Sequence, residues 1–178
     1  MKKLLPYITV LIAFSSCQTK TSGTHTDSTA VYHVPDEQAI QNAVDDAYKS
    51  ICFKKGEQPR YDDIKKAFIP KAQLINFRSD TAQLTNLDQF IYLYRTVIET
   101  DSITMFYEKE LYGKTEQFGR IASRISTYAT YLNTMDKPAE RGVNSFQLIK
   151  TPQGWRVSSI IWDVEKKGLK VPEYYWGK

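Results

Sequence analysis

Histidine is nearly missing from this 178-residue sequence, which holds only His25 and His33. Both fall in a Thr- and Ser-rich stretch near the start, so residues 34–178 contain none. A Ser-His-Asp triad, a Cys-His pair and a histidine-ligated metal are therefore excluded from that part of the chain. Cysteine is equally scarce, at Cys17 and Cys52. Glycine stands at eight positions, and no glycine-rich phosphate loop precedes a helical pattern. Charge of neither sign dominates, with 24 Lys and Arg against 20 Asp and Glu, and no basic run offers the clustered phosphate contacts that nucleic acid requires. An apolar run long enough for a membrane span is lacking too. The one extended run, residues 4–14, covers 11 positions, where a spanning helix needs about 20. No metal and no cofactor is expected, which leaves carboxylate, tyrosine, arginine and amide chemistry.

What the start does contain is the layout of an export signal: Lys2 and Lys3, the apolar run, then Ser15 and Ser16 directly before Cys17. The string FSSC resembles a lipobox with Phe14 at its first position. The resemblance implies cleavage after residue 16, a diacylglyceryl thioether on Cys17 and attachment to a membrane through it. Several acyl chains hold far more firmly than the marginal anchoring of one. The expected location is the cell envelope, lipid-anchored to the membrane, at the outer membrane on its periplasmic side or at the cell surface. Losing Lys2 and Lys3 with the signal lowers the formal charge from +4 to +2. Cys52 is then the sole thiol, and an intramolecular disulfide is excluded. Residues 17–33 read as the lipidated Cys and a flexible tether, because positions 18–33 hold five Thr, two Ser and one Gly and too little apolar surface for a core.

Residues 34–178 suit one domain. Pro35 and Asp36 open a helical pattern with Ile40, Ala43, Val44, Ala47, Tyr48 and Ile51 on one face. Tyr61, Ile64, Ala67 and Phe68 make a second, short helix that Pro70 stops, and residues 72–77 read as a short strand. Asn86 with Gln89 forms a capping-box start for a third helix, whose face is Leu87, Phe90, Ile91, Tyr94 and Ile98. Beyond Ser102 the texture becomes β-branched and aromatic, with strands expected at 103–112, 120–133, 143–150 and 155–164 and with Gly113 as one of the breaks. Helices first and antiparallel strands afterwards is an α+β pattern.

This order of elements, with the strings KAFIPKAQLI (66–75), FGRIASRISTY (118–128), RGVNSFQLIK (141–150) and GWRVSSIIWDVE (154–165), resembles the nuclear transport factor 2-like (SnoaL-like) superfamily. The resemblance implies an α+β cone: about three N-terminal helices packed on a strongly bent antiparallel sheet. It also implies that the strand face starting at Trp155, with Ser159, Ile161 and Asp163, points into the cone. Asp163 would then be a general base in apolar surroundings, or else a solvated or Arg-paired carboxylate at the strand end. The polyketide cyclases and scytalone dehydratase of that superfamily use a pocket histidine, for which this chain has no counterpart.

If the turn at 151–154 is tight, Asn144 lies opposite Ile161 and faces inward. Asp163, Tyr128, Arg141 and Asn144 are then the candidate catalytic set, of the residue types that a limonene epoxide hydrolase site uses. Ser159, Ile161, Trp155 and Phe146 are the candidate ligand pocket. Tyr128 can donate to an oxyanion or find a backbone partner, and Arg141 and Asn144 can equally be structural. Glu108 and Glu110 share a face with Phe106 and Tyr112 and read as an exposed edge or interface rim, with an acid and base pair as the alternative. Trp162 is expected on the outer sheet face, available to a homodimer. Three functions stay open: a membrane-tethered domain binding a small, partly apolar molecule or a partner protein; an enzyme of isomerase, dehydratase or epoxide hydrolase type; and a structural homodimer in an envelope assembly.

Overall fold

The computed structural model describes residues 36–178. The expected signal segment 1–16, the lipidation site Cys17 and the tether up to residue 33 lie outside the described residues. In chain order the elements are α1 (Glu37–Ser50), α2 (Tyr61–Ala67), β1 (Phe68–Asn76), β2 (Gln83–Asn86), α3 (Leu87–Thr100), β3 (Phe106–Phe118), β4 (Ile121–Leu132), β5 (Glu140–Thr151) and β6 (Gly154–Val164). A 3-10 turn at Glu173–Trp176 follows. One six-stranded sheet has the order β2-β1-β6-β5-β4-β3. Among the described residues no helix is long and apolar enough to cross a membrane.

The helices follow their apolar spacing. Ile40, Ala43, Val44, Ala47 and Tyr48 bury the inner face of α1. Helix α3 starts on the expected reciprocal cap: Gln89 N donates to the Asn86 side chain at 2.9 Å, and Asn86 N donates to Gln89 Oε1 at 3.0 Å. Its inner positions Leu87, Ile91, Tyr94 and Ile98 are buried. These faces close over the sheet and form a single core with Phe68, Leu74, Phe146, Leu148, Trp155 and Val157.

Strand β1 begins earlier than its sequence pattern suggests, because the chain passes from α2 into extended backbone at Phe68 and runs through Pro70. The ladder to β6 skips from Phe68↔Val157 to Gln73↔Ser159, so the proline, which has no N–H, falls where no ladder bond is made. The β1–β6 pairing is parallel, unlike the antiparallel meander β3–β6. Tight turns force neighbours to be antiparallel, and β1 meets β6 only after β2, α3 and three further strands have intervened. Gly113 is not a break: β3 continues through it, paired to Ser126.

Two bulges bend the meander. On β3, Leu111 is unpaired between Glu110↔Tyr128 and Tyr112↔Thr127. On β6, Ser158 is unpaired between Leu148↔Val157 and Gln147↔Ser159. An extra residue on one strand raises local twist and exchanges its two faces beyond that point. Below Ser158, Trp155 and Val157 face the core; above it Ile160 and Trp162 do, and Ile161 is left 41% exposed.

Candidate functional site

At the open end of the curved sheet lies a cavity of about 240 Å³. Every strand contributes to it, together with α1 and α3. Ala47, Tyr48 and Ile51 come from α1 and its end, and Phe90, Leu93, Tyr94 and Val97 from α3. Phe68, Leu74, Phe106, Phe146, Ile160 and Trp162 complete an apolar wall in which Phe90 packs against Trp162 and Tyr94 against Phe106 edge-on. The polar lining is confined to a few groups: Glu108, Tyr128, Asn144, Asn76, Arg78, Gln83 and Thr85. An apolar recess with a few converging polar groups is the usual form of a small-molecule site, and this one is smaller than the 300 Å³ or so that drug-sized ligands occupy.

Glu108 is the chemically distinctive residue. It sits deep in the domain, and its remaining exposure opens onto the cavity. Oε2 accepts the Thr130 hydroxyl at 2.6 Å, and Oε1 has no partner among the described residues. Burial pushes the carboxyl up to about 7; the Thr130 hydroxyl opposes the rise, nearby Glu140 adds to it and Arg78 opposes it. Arg78 does not neutralise Glu108 directly, since its Nη2 pairs with Glu140 Oε1 at 2.8 Å. The same Glu140 oxygen accepts the Tyr128 hydroxyl at 2.8 Å. Gly142 makes that reach possible, because a Cβ there would lie 2.9 Å from the Tyr128 hydroxyl oxygen.

A second polar chain runs from the cavity into the core. Arg124 donates to Glu110 through Nε at 2.9 Å and Nη2 at 2.6 Å, with side-chain exposures of 7% and 13%. Burial alone would raise the Glu110 pKa, but hydrogen bonds from Arg124 and Ser126 and the Arg124 charge outweigh it and hold the carboxyl below its ordinary value. The Ser126 and Tyr48 hydroxyls share a hydrogen bond at 2.7 Å. Tyr48 in turn accepts from Asn144 Nδ2 at 2.9 Å. Asn144 Oδ1 has no partner among the described residues, and Asn144 lines the cavity. Cys52 is no nucleophile: burial raises its thiol to about 11, and it is hydrogen-bonded to the Tyr48 and Glu108 backbone.

The sequence candidates separate on this geometry. Tyr128, Asn144 and Phe146 line the cavity. Asp163 does not: it faces outward, bonds Val164 N and pairs with Lys166 at 3.2 Å. Ile161 and Ser159 lie with it on the face away from the cavity, and Arg141 is exposed on β5. Trp155 is buried, but at the other end of the strand, where Nε1 donates to Asp36 Oδ2 at 3.0 Å. The bulge at Ser158 is the reason. Unbroken pairing from Thr151↔Gly154 would set Asn144 opposite Ile161, whereas the observed partner is Trp162, which turns inward and is not on an outer dimer face. The sequence reading also misplaced Glu108 and Glu110. They do lie on an edge strand, yet their face begins with Phe106, which packs on the core and carries both carboxylates inward with it.

Two other depressions are lined mainly by polar groups. One involves Asp46, Lys49, Arg60, Asp63, Lys66 and Arg156, where Asp63 is already paired with Arg60 and Lys66. The other lies along β1, β2 and the start of α3. Among the described residues no group of three His, Cys, Asp or Glu side chains is placed to hold a metal ion.

No protein-family model matches the chain, and no curated protein sequence does. Solved structures do. A nuclear transport factor 2-like protein of unknown function from Shewanella baltica is 18% identical over 73% of this chain and 94% of its own, with a TM-score of 0.52. A protein of unknown function with a cystatin-like fold from Nostoc punctiforme is 11% identical over 73% and 91%, at 0.58. A candidate scytalone dehydratase from Novosphingobium aromaticivorans is 10% identical over 76% and 89%, also at 0.58. Identities this low carry the architecture and nothing finer, and that architecture is the nuclear transport factor 2-like fold.

Proposed function

We propose that this chain is a lipid-anchored envelope protein whose domain binds a small, largely apolar molecule in the cavity above Glu108. The observation that carries the reading is the cavity itself: an aromatic and aliphatic wall around a few polar groups, left unfilled by side chains. The lipid anchor rests on the Lys2–Lys3, apolar run and FSSC layout of the start. Native mass spectrometry of the full mature chain, taken from its own cells in mild detergent, tests the binding reading. A retained small mass, lost when Val97→Trp narrows the cavity, is the expected result; a chain that carries none and takes up no apolar probe contradicts it. Cys17→Ser is expected to abolish acyl labelling and membrane attachment, and a free Cys17 thiol in mature soluble protein would overturn the anchor.

A second reading has its own support. A carboxyl whose pKa is about 7 and whose Oε1 faces an apolar cavity is suited to general acid–base catalysis at neutral pH. In that reading Glu108, and not Asp163, moves the proton in an isomerase- or dehydratase-type reaction, with Asn144 positioning the substrate. Turnover that Glu108→Gln abolishes while substrate still binds would favour it over binding alone.

A further inference from the structure

Two hydrogen-bonding positions on the cavity floor are open acceptors. Glu108 Oε1 has no donor among the described residues, its other oxygen being held by Thr130. Asn144 Oδ1 is the free end of an amide whose Nδ2 is committed to Tyr48. The Tyr128 proton is given to Glu140. Both nearby guanidinium groups are engaged as well, Arg78 with Glu140 and Arg124 with Glu110. The floor therefore offers two acceptors, one of them a carboxylate whose nearby guanidinium, Arg78, is paired with Glu140.

The wall adds a second, independent feature. Phe90, Tyr94, Phe106 and Trp162 are arranged edge-to-face and stacked around the same space. Aromatic faces attract cations, and such attraction grows where water is excluded. A hydrogen-bond acceptor with negative charge at the bottom and aromatic rings around it is complementary to a donor with positive charge.

We infer that the ligand of this cavity is a small amine: an apolar body carrying one protonated nitrogen that donates to Glu108 Oε1 and Asn144 Oδ1. This rests on the binding reading above and specifies its ligand class. The titration behaviour of the floor agrees with it. Glu108 at about 7 is part-ionised at neutral pH, and a bound cation would complete the ionisation. The groups facing it are Tyr48 from α1, Cys52 beyond it, Arg78 beyond β1, Tyr94 from α3, Tyr128 from β4 and Glu140 from β5. Burial raises the three tyrosines and Cys52, so they stay neutral at that pH, and Arg78 stays charged. Amine affinity is accordingly expected to rise with pH through the range around 7 as Glu108 ionises.

Calorimetric titration of the full chain in detergent with four probes of one shape tests this: 2-phenylethylamine, 2-phenylethanol, phenylacetate and ethylbenzene. The amine is expected to bind at least about tenfold more tightly than the alcohol, and phenylacetate not at all, as a charge-assisted hydrogen bond and a cation–π contact together would give. Glu108→Gln should remove the advantage of the amine over the alcohol. In the unaltered chain, the carbon-detected NMR titration of Glu108 should shift to lower pH when the amine saturates it, a readout that does not depend on a variant folding. Ethylbenzene and the alcohol binding as tightly as the amine would overturn the inference and leave the cavity reading standing. Failure of all four to bind would overturn both.

Discussion

The Arg124 guanidinium reaches the Glu110 carboxylate across the bare backbone of Gly113. An added Cβ at that glycine would overlap both the guanidinium and the Glu110 side chain, so the pair exists because β3 carries no side chain there. Ser126, which helps to hold the Glu110 carboxyl low, is hydrogen-bonded to Tyr48, and Tyr48 accepts from Asn144 in the cavity.

Arg124→Met should cost about 3–5 kcal/mol, because it leaves Glu110 buried without its cation. Gly113→Ala should cost about 1–3 kcal/mol by displacing the same pair. The double variant should be less destabilised than the sum of the two, since both act on one contact, and denaturant midpoints for the four proteins of the cycle check it. Full additivity would mean that Gly113 serves something other than Arg124.

Stability should depend on pH in opposite senses at the two glutamates. For Glu110 the folded pKa lies below the unfolded one, so its contribution is present at neutral pH and is lost as pH falls through the folded value. For Glu108 the folded pKa, about 7, exceeds the ordinary 4.5, so stability is greatest below the unfolded value and declines as pH rises between the two. Glu108→Gln is therefore expected to stabilise the protein at pH 8 by roughly 1–3 kcal/mol and to leave it little changed at pH 4. Melting temperatures across that range read the difference directly.

Tyr128→Phe removes the hydroxyl that Glu140 accepts and should cost about 1–2 kcal/mol. Gly142→Ala should cost about as much or more, since its Cβ would overlap the Asp163 carbonyl on β6 as well as crowd the Tyr128 ring, and the β5–β6 ladder must part to admit it. Chemical denaturation of each variant, with amide hydrogen exchange along β5, separates the local opening from a global loss.

Asp163→Asn, in contrast, should change stability by no more than about 1 kcal/mol, because its partner Lys166 and the carboxylate itself are both well exposed. A larger loss would show that the outward placement is wrong.

Much of the architecture was legible because it is written in periodic signals. The Asn86–Gln89 box and the 3.6-residue spacing marked the start and the inner face of α3, and the β-branched and aromatic texture after Ser102 marked a meander. The face of β6 was not legible. A one-residue bulge at Ser158 has no glycine or proline to announce it, yet it reverses every side chain that follows and trades Ile161 and Asp163 for Ile160 and Trp162. Glu108 was hidden for another reason. Edge strands favour charge, so a glutamate there reads as solvated, and only the long-range bridge from Phe53 to Phe106 shows that this end of β3 is covered. The helix pattern announces its own neighbours; the lid over an edge strand comes from a segment more than fifty residues away.

The central claim is that Glu108 is a carboxylic acid poised near neutrality inside an apolar cavity. Its pKa in the ligand-free folded chain, followed by the carboxyl carbon shift in an NMR titration and assigned by its loss in Glu108→Gln, measures that claim most directly. A midpoint near 7 is expected. A midpoint at the ordinary value of about 4.5 would mean that water or a cation already serves the carboxylate, and it would contradict the cavity as described.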